Sequence, residues 1–313
     1  MKYYIGVDLG GTSVKAGVVS ERGKLIHKDS MPTGNHKGQD AMIADIVALC
    51  QKVAADSGIG AAFISSIGIG VPGLYDKEQG VIVYLPNLDI RQAPIRDIIQ
   101  NTFDVPVYLE NDANAAAMGE SVAGAAKEAR SSVTVTLGTG VGGGIIIDNK
   151  ILNGAFGGAG EIGHMAITMD GERCNCGRHG CWEAYASASA LVRQAKAAVT
   201  AHPESRLAQN AQITGKAVFD AADLGDETAI RVLETYLRYV AFGITSLIAI
   251  LEPEMIVIGG GLSAQGDKLL APITKMVEAE VFGGVRRTKI AAATLGNDAG
   301  IIGAAMLGMG TGL

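Results

Sequence analysis

The sequence predicts an α/β protein of two domains, on three observations. Its 313 residues fit about two domains at roughly 100–200 residues each. Short, apolar, β-prone runs alternate with longer segments of 3,4-spaced apolar residues, the order that builds sheets covered by helices. Twice the chain runs strand, Gly-rich tight turn, strand, at residues 8–19 and 137–148. That echo implies two like-folded halves, expected at residues 1–117 and 118–297, with the last helix (298–313) returning to the first.

The opening reads as a β-meander. Residues 3–9 are apolar and β-prone, Gly10-Gly11-Thr12 turns, 14–19 returns, and 24–31 follows Glu21-Arg22-Gly23. Residues 40–56 carry an amphipathic helical pattern that stops at Ser57-Gly58. Cys50 falls among Ile43, Ile46, Val47 and Val53 at helical spacing, which is the pattern of a buried core thiol. A buried-type strand at 64–71 ends in Pro72-Gly73, and 81–85, a helix near 94–103 and a strand at 105–109 complete a first α/β set. Residues 111–126 are Ala-rich and helical.

The second set opens with a strand at 132–137, a Gly-rich turn and a strand at 145–148. Residues 154–182 are irregular and rich in Gly and Cys, as expected of a site rather than an element. Helices follow over 187–201, after Gly215, and over 227–251. A short buried strand at 255–258 ends in Gly259-Gly260-Gly261, and a helix (267–281), a strand (289–295) and a helix (299–307) close the chain.

Composition excludes several classes of function. Apolar residues make up 48% and charged residues 19%, which supplies a sizeable core and rules out wholesale disorder. Lys and Arg number 26 against 32 Asp and Glu, a net charge of −6 with no basic block, so a nucleic-acid partner is not expected. Aromatics at 5% provide no stacking platform for single strands. Asp8 interrupts any signal-peptide core, and the longest apolar run, 239–251, stops at Glu252-Pro253-Glu254. A soluble, cytoplasmic protein without a membrane partner is the expectation. Glycine, 43 residues, is clustered at strand ends, where a backbone approaches a ligand closely.

The common nucleotide fingerprints fail. There is no G-x-x-x-x-G-K-[ST], and the G-x-G-x-x-G matches at Gly68/Gly70/Gly73 and Gly138/Gly140/Gly143 do not open helices. What the two hairpin tips offer is glycines and a Thr hydroxyl, at Asp8-Leu9-Gly10-Gly11-Thr12 and Leu137-Gly138-Thr139-Gly140. Successive backbone N–H groups there suit oxyanions, and Asp8 can hold a hydrated Mg²⁺. A single such turn is equally an ordinary Gly-rich hairpin, so it is the pair that points to phosphate. Asp112 lies where a strand ends and an Ala-rich helix begins. It reads either as a helix-start acid or as a carboxylate at the ligand-binding edge of a sheet, placed to take a hydroxyl proton.

The most specific local signal is Cys174-Asn175-Cys176-Gly177-Arg178-His179-Gly180-Cys181. Thiolates one residue apart pair poorly with each other but converge on tetrahedral zinc, with His164 or His179 as the fourth ligand. Four protein ligands leave no open position, so such a metal is structural. Glu161, His164 and Glu183 flank the cluster and suit a fan of hydrogen bonds to a polyol, although surface charge is the default for each alone.

Together these residues resemble the ROK family of sugar kinases and repressors along essentially the whole chain. Residues 8–15 (DLGGTSVK) look like its first phosphate motif, 137–145 (LGTGVGGGI) like its second, and 259–262 (GGGL) like its adenosine motif. Glu161-Ile162-Gly163-His164 and residues 174–183 (CNCGRHGCWE) are similar to the family's C-x-C-G-x-x-G-C-x-E pattern position by position. The resemblance implies a hexokinase–actin-like (ribonuclease H-like) fold, two α/β domains around a ligand cleft that closes on sugar and ATP.

It further implies Asp112 as the base that activates a sugar hydroxyl, with Gly73, Asn87, Asn111, Glu161, His164 and Glu183 contacting the sugar. ATP and Mg²⁺ fall to Asp8, Gly10, Gly11, Thr12, Lys15, Gly138, Thr139, Gly140, Gly260 and Gly261. Structural zinc falls to His164, Cys174, Cys176 and Cys181, and the family implies a homodimer. Glucose is the expected sugar, although Asn87-Leu88-Asp89-Ile90 lacks the tryptophan often found after that asparagine in glucokinases. Mannose, N-acetylmannosamine, allose and fructose are the alternatives. Family repressors carry an N-terminal helix-turn-helix, whereas here the first strand is expected from Tyr3 and Asp112 is present; catalysis is therefore expected over a regulatory role.

Overall fold

Backbone pairing begins at once in the computed structural model, which describes residues 1–34, 38–85, 88–284 and 287–309. Strands β1 (Tyr3–Leu9), β2 (Ser13–Ser20) and β3 (Leu25–Pro32) form the antiparallel meander. Helix α1 (Gln39–Asp56) leads to β4 (Ile64–Val71), which pairs parallel with β1. A small antiparallel sheet follows: β5 (Leu74–Asp76), β6 (Val81–Leu85) and β7 (Ile90–Ala93). Helix α2 (Ile95–Phe103), β8 (Val107–Asn111), parallel to β4, and α3 (Asp112–Val122) complete the set. The sheet order is β3-β2-β1-β4-β8.

The pattern then repeats. β9 (Ser132–Leu137), β10 (Val141–Ile147) and β11 (Lys150–Ile151) precede α4 (Glu183–Ala186), α5 (Ala188–Ala201), α6 (Gly215–Asp223) and α7 (Glu227–Leu251). β12 (Met255–Gly259), α8 (Asp267–Glu280), β13 (Lys289–Ala292) and α9 (Ala299–Met306) follow. This sheet has the order β11-β10-β9-β12-β13, with β12 parallel to both β9 and β13. Each sheet is thus a three-strand meander extended by two parallel strands, the repetition that the two Gly-rich hairpins announce. By its contacts the chain divides into one unit of residues 1–130, 144–160 and 294–313 and another of 131–143 and 161–293.

In the first unit, the period-2 alternation of a strand decides which helix covers which face. Ile5, Val7 and Leu9 of β1, with Ile67, Ile69 and Val71 of β4, pack with Met42, Ile43, Ile46 and Val53 of α1. Cys50 joins them with no exposure, and burial pushes its thiol up to about 12. Of the alternate positions, Gly6 and Gly68 turn to the α9 backbone, while Tyr4 clusters with Ile301, Ile302, Ala305 and Met306. A Cβ on Gly6 would sit 1.8 Å from the Ile301 carbonyl oxygen, and one on Gly68 1.8 Å from that of Ala304. A Cβ on Gly303 would lie 1.6 Å from the Ala115 carbonyl oxygen of α3. Helix, sheet and helix therefore meet backbone to backbone.

Four elements end elsewhere than the periodicity predicts. β10 begins at Val141 rather than 145 and carries its glycines inside the strand, because Gly144 passes α3: its Cβ would meet Ala117 Cβ at 2.4 Å. β8 runs to Asn111 because β4 offers partners that far, Gly70 opposite Glu110 and Val71 opposite Asn111. α3 stops at Val122 because the buried Glu120 carboxylate turns back to accept from Ala125 N–H at 2.8 Å. β13 ends at Ala292 because the same carboxylate takes the N–H groups of Thr294 and Leu295, at 3.0 and 2.9 Å.

Among the described residues α7, 25 residues long, is apolar enough to cross a membrane by length and composition alone. It packs as the core helix of its unit, with Tyr236, Val240, Gly243, Ile244 and Leu247 buried. Asp226 caps its start by accepting from Ala229 N–H at 2.8 Å, and Glu252, ahead of Pro253, ends it in a left-handed conformation (φ 41°).

Gly303→Ala tests the close packing. Helix propensity alone favours alanine by about 1 kcal/mol, but the clash with the Ala115 carbonyl is expected to outweigh it and cost about 1–3 kcal/mol or more. The check is the denaturant midpoint, beside Gly158→Ala, which has open space around its Cβ and should shift stability by less than about 0.5 kcal/mol.

Candidate active site

The first group of functional residues gathers at one edge of one sheet. β1, β4 and β8 run parallel, so their carboxyl ends lie together, with Asp8 level with Gly70 and Gly70 level with Glu110. In open α/β sheets this is the edge where ligands bind. Asp8 is half-buried and paired with Lys15, Nζ to Oδ2 at 3.2 Å. Beyond it the hairpin closes by Gly10 N–H donating to the Ser13 carbonyl at 3.0 Å, while the buried Thr33 hydroxyl donates to the Gly10 carbonyl at 2.7 Å. Gly10 thus shapes the turn, Gly11 has open space around it, and Thr12 stands exposed at the tip.

At the end of β8 the Asn111 side chain caps α3, its Oδ1 accepting from Ala113 N–H at 2.9 Å and Asn114 N–H at 3.1 Å. Asp112 is the first helical residue, and its Oδ1 accepts from Ala113 N–H at 2.9 Å. Both readings of Asp112 are therefore compatible: it starts a helix, and it does so at the ligand edge. Beneath it lies Glu110, with no solvent exposure. Its Oε1 accepts from the Tyr75 hydroxyl (2.6 Å), Asn111 N–H (3.1 Å) and Asn114 Nδ2 (3.1 Å), and its Oε2 from Lys77 Nζ (3.0 Å). Burial opposes the charge of Glu110, but the Tyr75 and Lys77 donors prevail and hold its carboxyl below the usual range. Burial, then the Glu110 charge, raises the Tyr75 phenol.

Gly73 follows β4 where a Cβ would collide with Leu85 Cδ2 at 2.5 Å, so glycine is required there by β6. Asn87 lies outside the described residues.

A second group belongs to the other unit. The β9–β10 turn closes by Gly138 N–H donating to the Gly140 carbonyl at 3.0 Å, and Ala188 N–H, at the start of α5, donates to the Gly138 carbonyl at 2.8 Å. Thr139 is exposed at the tip. The neighbouring parallel strand β12 delivers Gly260 to the same edge, with φ 82° and its Cβ position 2.6 Å from the Leu137 backbone. Only glycine fits there, and Gly261 beside it is exposed with open space around it. The second phosphate-type turn and the GGG segment are adjacent.

The cysteine loop is anchored to α7 by Trp182. The indole is fully buried, donates from Nε1 to the Tyr239 carbonyl at 2.7 Å, and fills the space left by Gly243, where a Cβ would be 2.0 Å from the ring. On either side of it stand Cys181 and Glu183. The ligand atoms of His164, Cys174, Cys176 and Cys181 all lie within 4.8 Å of one another. Cys174 Sγ is 3.6 Å from His164 Nδ1, and Cys176 Sγ is 3.6 Å from Cys181 Sγ. Tetrahedral zinc bonds of about 2.3 Å to sulfur and 2.0–2.1 Å to nitrogen require edges of about 3.6–3.8 Å, so the set fits.

His179 is exposed, with Nδ1 3.0 Å from the Gly171 carbonyl oxygen, outside the cluster. The Arg178 N–H lowers the Cys176 thiol, while burial raises Cys174 and pushes Cys181 up to about 12. A divalent cation at the centre would favour thiolate at all three.

Glu183 touches both features of its unit. Its Oε2 accepts from Val141 N–H at 3.0 Å, in the second Gly-rich hairpin, and its Oε1 lies 3.7 Å from Cys174 Sγ. Glu161 is exposed at the head of the short turn that carries His164, whose N–H donates to the Glu161 carbonyl at 3.0 Å. Sequence reading assigns no role to Glu110, Tyr75 or Lys77. In sequence Glu110 is an ordinary strand-end acid, and its burial and partners show only in the fold.

The chain matches the ROK family over residues 4–310. It is 39% identical over 312 residues to a glucokinase from Halalkalibacterium halodurans, covering 98% of this chain and 94% of that protein. The crystal structure of a ROK family glucokinase from Streptomyces griseus, in complex with glucose and AMPPNP, superposes with a TM-score of 0.77 at 37% identity, covering 97% of this chain and 98% of that one. A xylose repressor from Caldicellulosiruptor bescii is 34% identical over 284 residues, 89% of this chain and 70% of the repressor.

Cys181→Ser should lower bound zinc from about one ion per chain to near zero and open residues 161–183 to limited proteolysis. Metal analysis of the purified proteins checks this, and a full zinc complement in the variant would remove Cys181 from the ligand set.

Proposed function

The chain belongs to the ROK family, and on that premise we propose that it is an ATP-dependent hexose kinase that converts glucose to glucose 6-phosphate. The observation that carries this reading is Asp112 at the carboxyl end of β8, in the same sheet edge as Asp8 and the turn of residues 10–12. The 6-hydroxyl oxygen bonds to the γ-phosphorus, its proton passes to Asp112, and the bond from that phosphorus to the bridging oxygen breaks to release ADP. Sugar contacts are assigned, as the family resemblance implies, to Gly73, Asn87 and Asn111 and to Glu161, His164 and Glu183. His164 faces Cys174 through Nδ1, which leaves Nε2 for a sugar hydroxyl.

Phosphate binding falls to Gly10, Gly11, Thr12 and Lys15 and to Gly138, Thr139 and Gly140, while Gly260 and Gly261 take the adenosine side. Asp8, half-buried beside the first turn, has the oxygen donors to hold Mg²⁺, which neutralises phosphate charge when bound. His164, Cys174, Cys176 and Cys181 would hold zinc, which when bound would order the loop that carries Glu161 and Glu183. Three thiols kept as ligands call for a reducing compartment, which supports a cytoplasmic location. Exposed Phe242 and Ile250 on α7 support a homodimer that covers them.

A sugar-responsive regulator is the second reading, favoured by the likeness to the xylose repressor. ADP release with Mg-ATP, measured across hexoses and N-acetylhexosamines, separates the two. Fastest turnover on glucose is expected, and Asp112→Asn should lower kcat by roughly 10²–10⁴-fold with the fold unchanged. Near-normal turnover in that variant would sink the role of Asp112. Preference for mannose, N-acetylmannosamine, allose or fructose would change the substrate alone, and sugar binding without turnover would establish the regulator.

A further inference from the structure

We propose that Glu110 is a positioning residue for phosphoryl transfer, its buried carboxylate holding the turn that carries Asp112 in fixed register with the β5–β7 sheet. The proposal rests on the reading of Asp112 as the base.

The argument starts from the number of donors. An ionised carboxylate offers about four acceptor sites, and four donors meet Glu110: the Tyr75 hydroxyl, Lys77 Nζ, Asn111 N–H and Asn114 Nδ2. They come from separate pieces of chain. Tyr75 is on β5, Lys77 on the connection that follows it, Asn111 at the end of β8, and Asn114 in the first turn of α3. A carboxylate with no solvent exposure is a poor choice for stability alone, because well-packed apolar side chains do as well or better in such places. What it provides instead is directional fixing at several points.

The fixed segment is the one that matters for chemistry. Asn111 and Asn114 bracket Asp112, and both are held by the same Glu110 Oε1. Asn111 in turn caps the N–H groups of Ala113 and Asn114. The backbone on both sides of Asp112 is therefore pinned, which limits where its carboxylate can go. Through Tyr75 on Oε1 and Lys77 on Oε2 the same carboxylate ties that position to the hairpin β5–β6, and β6 pairs with β7 by Leu85 opposite Ile90, the two residues on either side of the segment 86–89. A base must meet its proton within hydrogen-bond reach, and a misplacement of about 1 Å costs on the order of 10²-fold in rate.

The test is steady-state kinetics of Glu110→Gln and Tyr75→Phe in the full chain, alone and combined with Asp112→Asn. Glutamine keeps the shape but turns an NH₂ towards donors, and phenylalanine removes a single donor from Glu110. Each is expected to lower kcat about 10–100-fold while the KM for ATP stays within about twofold. Neither should lower the rate further in the Asp112→Asn background, since the position of an absent base is immaterial. Full additivity there, or wild-type kcat in the folded variants, overturns the proposal. Should Glu110→Gln fail to fold, Tyr75→Phe decides alone. Near-normal turnover of Asp112→Asn by itself would instead overturn the reading of the base, a result distinguishable from either.

Discussion

Helix α9 can lie as close to the first sheet as it does only because glycines stand at the points of nearest approach. Gly6 and Gly68 face it from two adjacent strands, Gly119 and Gly303 serve the contact between α3 and α9, and a Cβ at any of the four would fall within 2.3 Å of a carbonyl oxygen. Such an approach leaves little room for adjustment, because interiors are packed at crystal-like density. The residues that depend on it are those at the carboxyl edge. Gly300, in the first turn of α9, comes so near Asp8 that a Cβ would be 3.0 Å from its Cγ. α3, which begins with Asp112, is held along its length by the same helix. The geometry of the turn after Asp8 and of the α3 start at Asp112 is thus a consequence of where the last helix rests.

The same unit contains two carboxylates buried away from water, each satisfied differently. Glu120 is met by the backbone N–H groups of Ala125, Thr294 and Leu295, so it serves to fix the path of the main chain into α9. Glu110 is met mostly by side chains, a phenol, an ammonium and an amide. Backbone donors are fixed by the fold, whereas side-chain donors bring their own elements to the acid. The first arrangement closes the architecture, and the second connects a small sheet to a helix start.

In the second unit the corresponding anchor is Trp182. Its ring occupies the notch at Gly243 on α7, and from it extend Cys181 towards the metal ligands and Glu183 towards the β9–β10 turn. A loop with so many glycines has no stiffness of its own, because glycine loses the most conformational freedom on folding. The indole on one side supplies order that regular secondary structure does not, and a metal held by the four clustered ligands would add to it.

Much of this was legible in the chain. The meander, the helices and the twice-used Gly-rich hairpin follow from period-2 and period-3.6 patterning and from turn chemistry, all local properties. The DLGGTSVK segment, the three metal-type cysteines within residues 174–181, and Asp112 at a strand end were likewise visible, because each motif is contiguous or nearly so. Four things needed the folded chain. Whether His164 or His179 completes the metal set is a matter of distance. That Gly6, Gly68 and Gly303 serve close packing, while Gly11 and Gly261 leave open space, cannot be read from composition. The short strands β5 and β7 carry too few residues to show a period. Finally, Glu110 looks in sequence like any strand-end acid; its partners Tyr75 and Lys77 lie more than thirty positions away, and only tertiary folding brings their donors to one carboxylate.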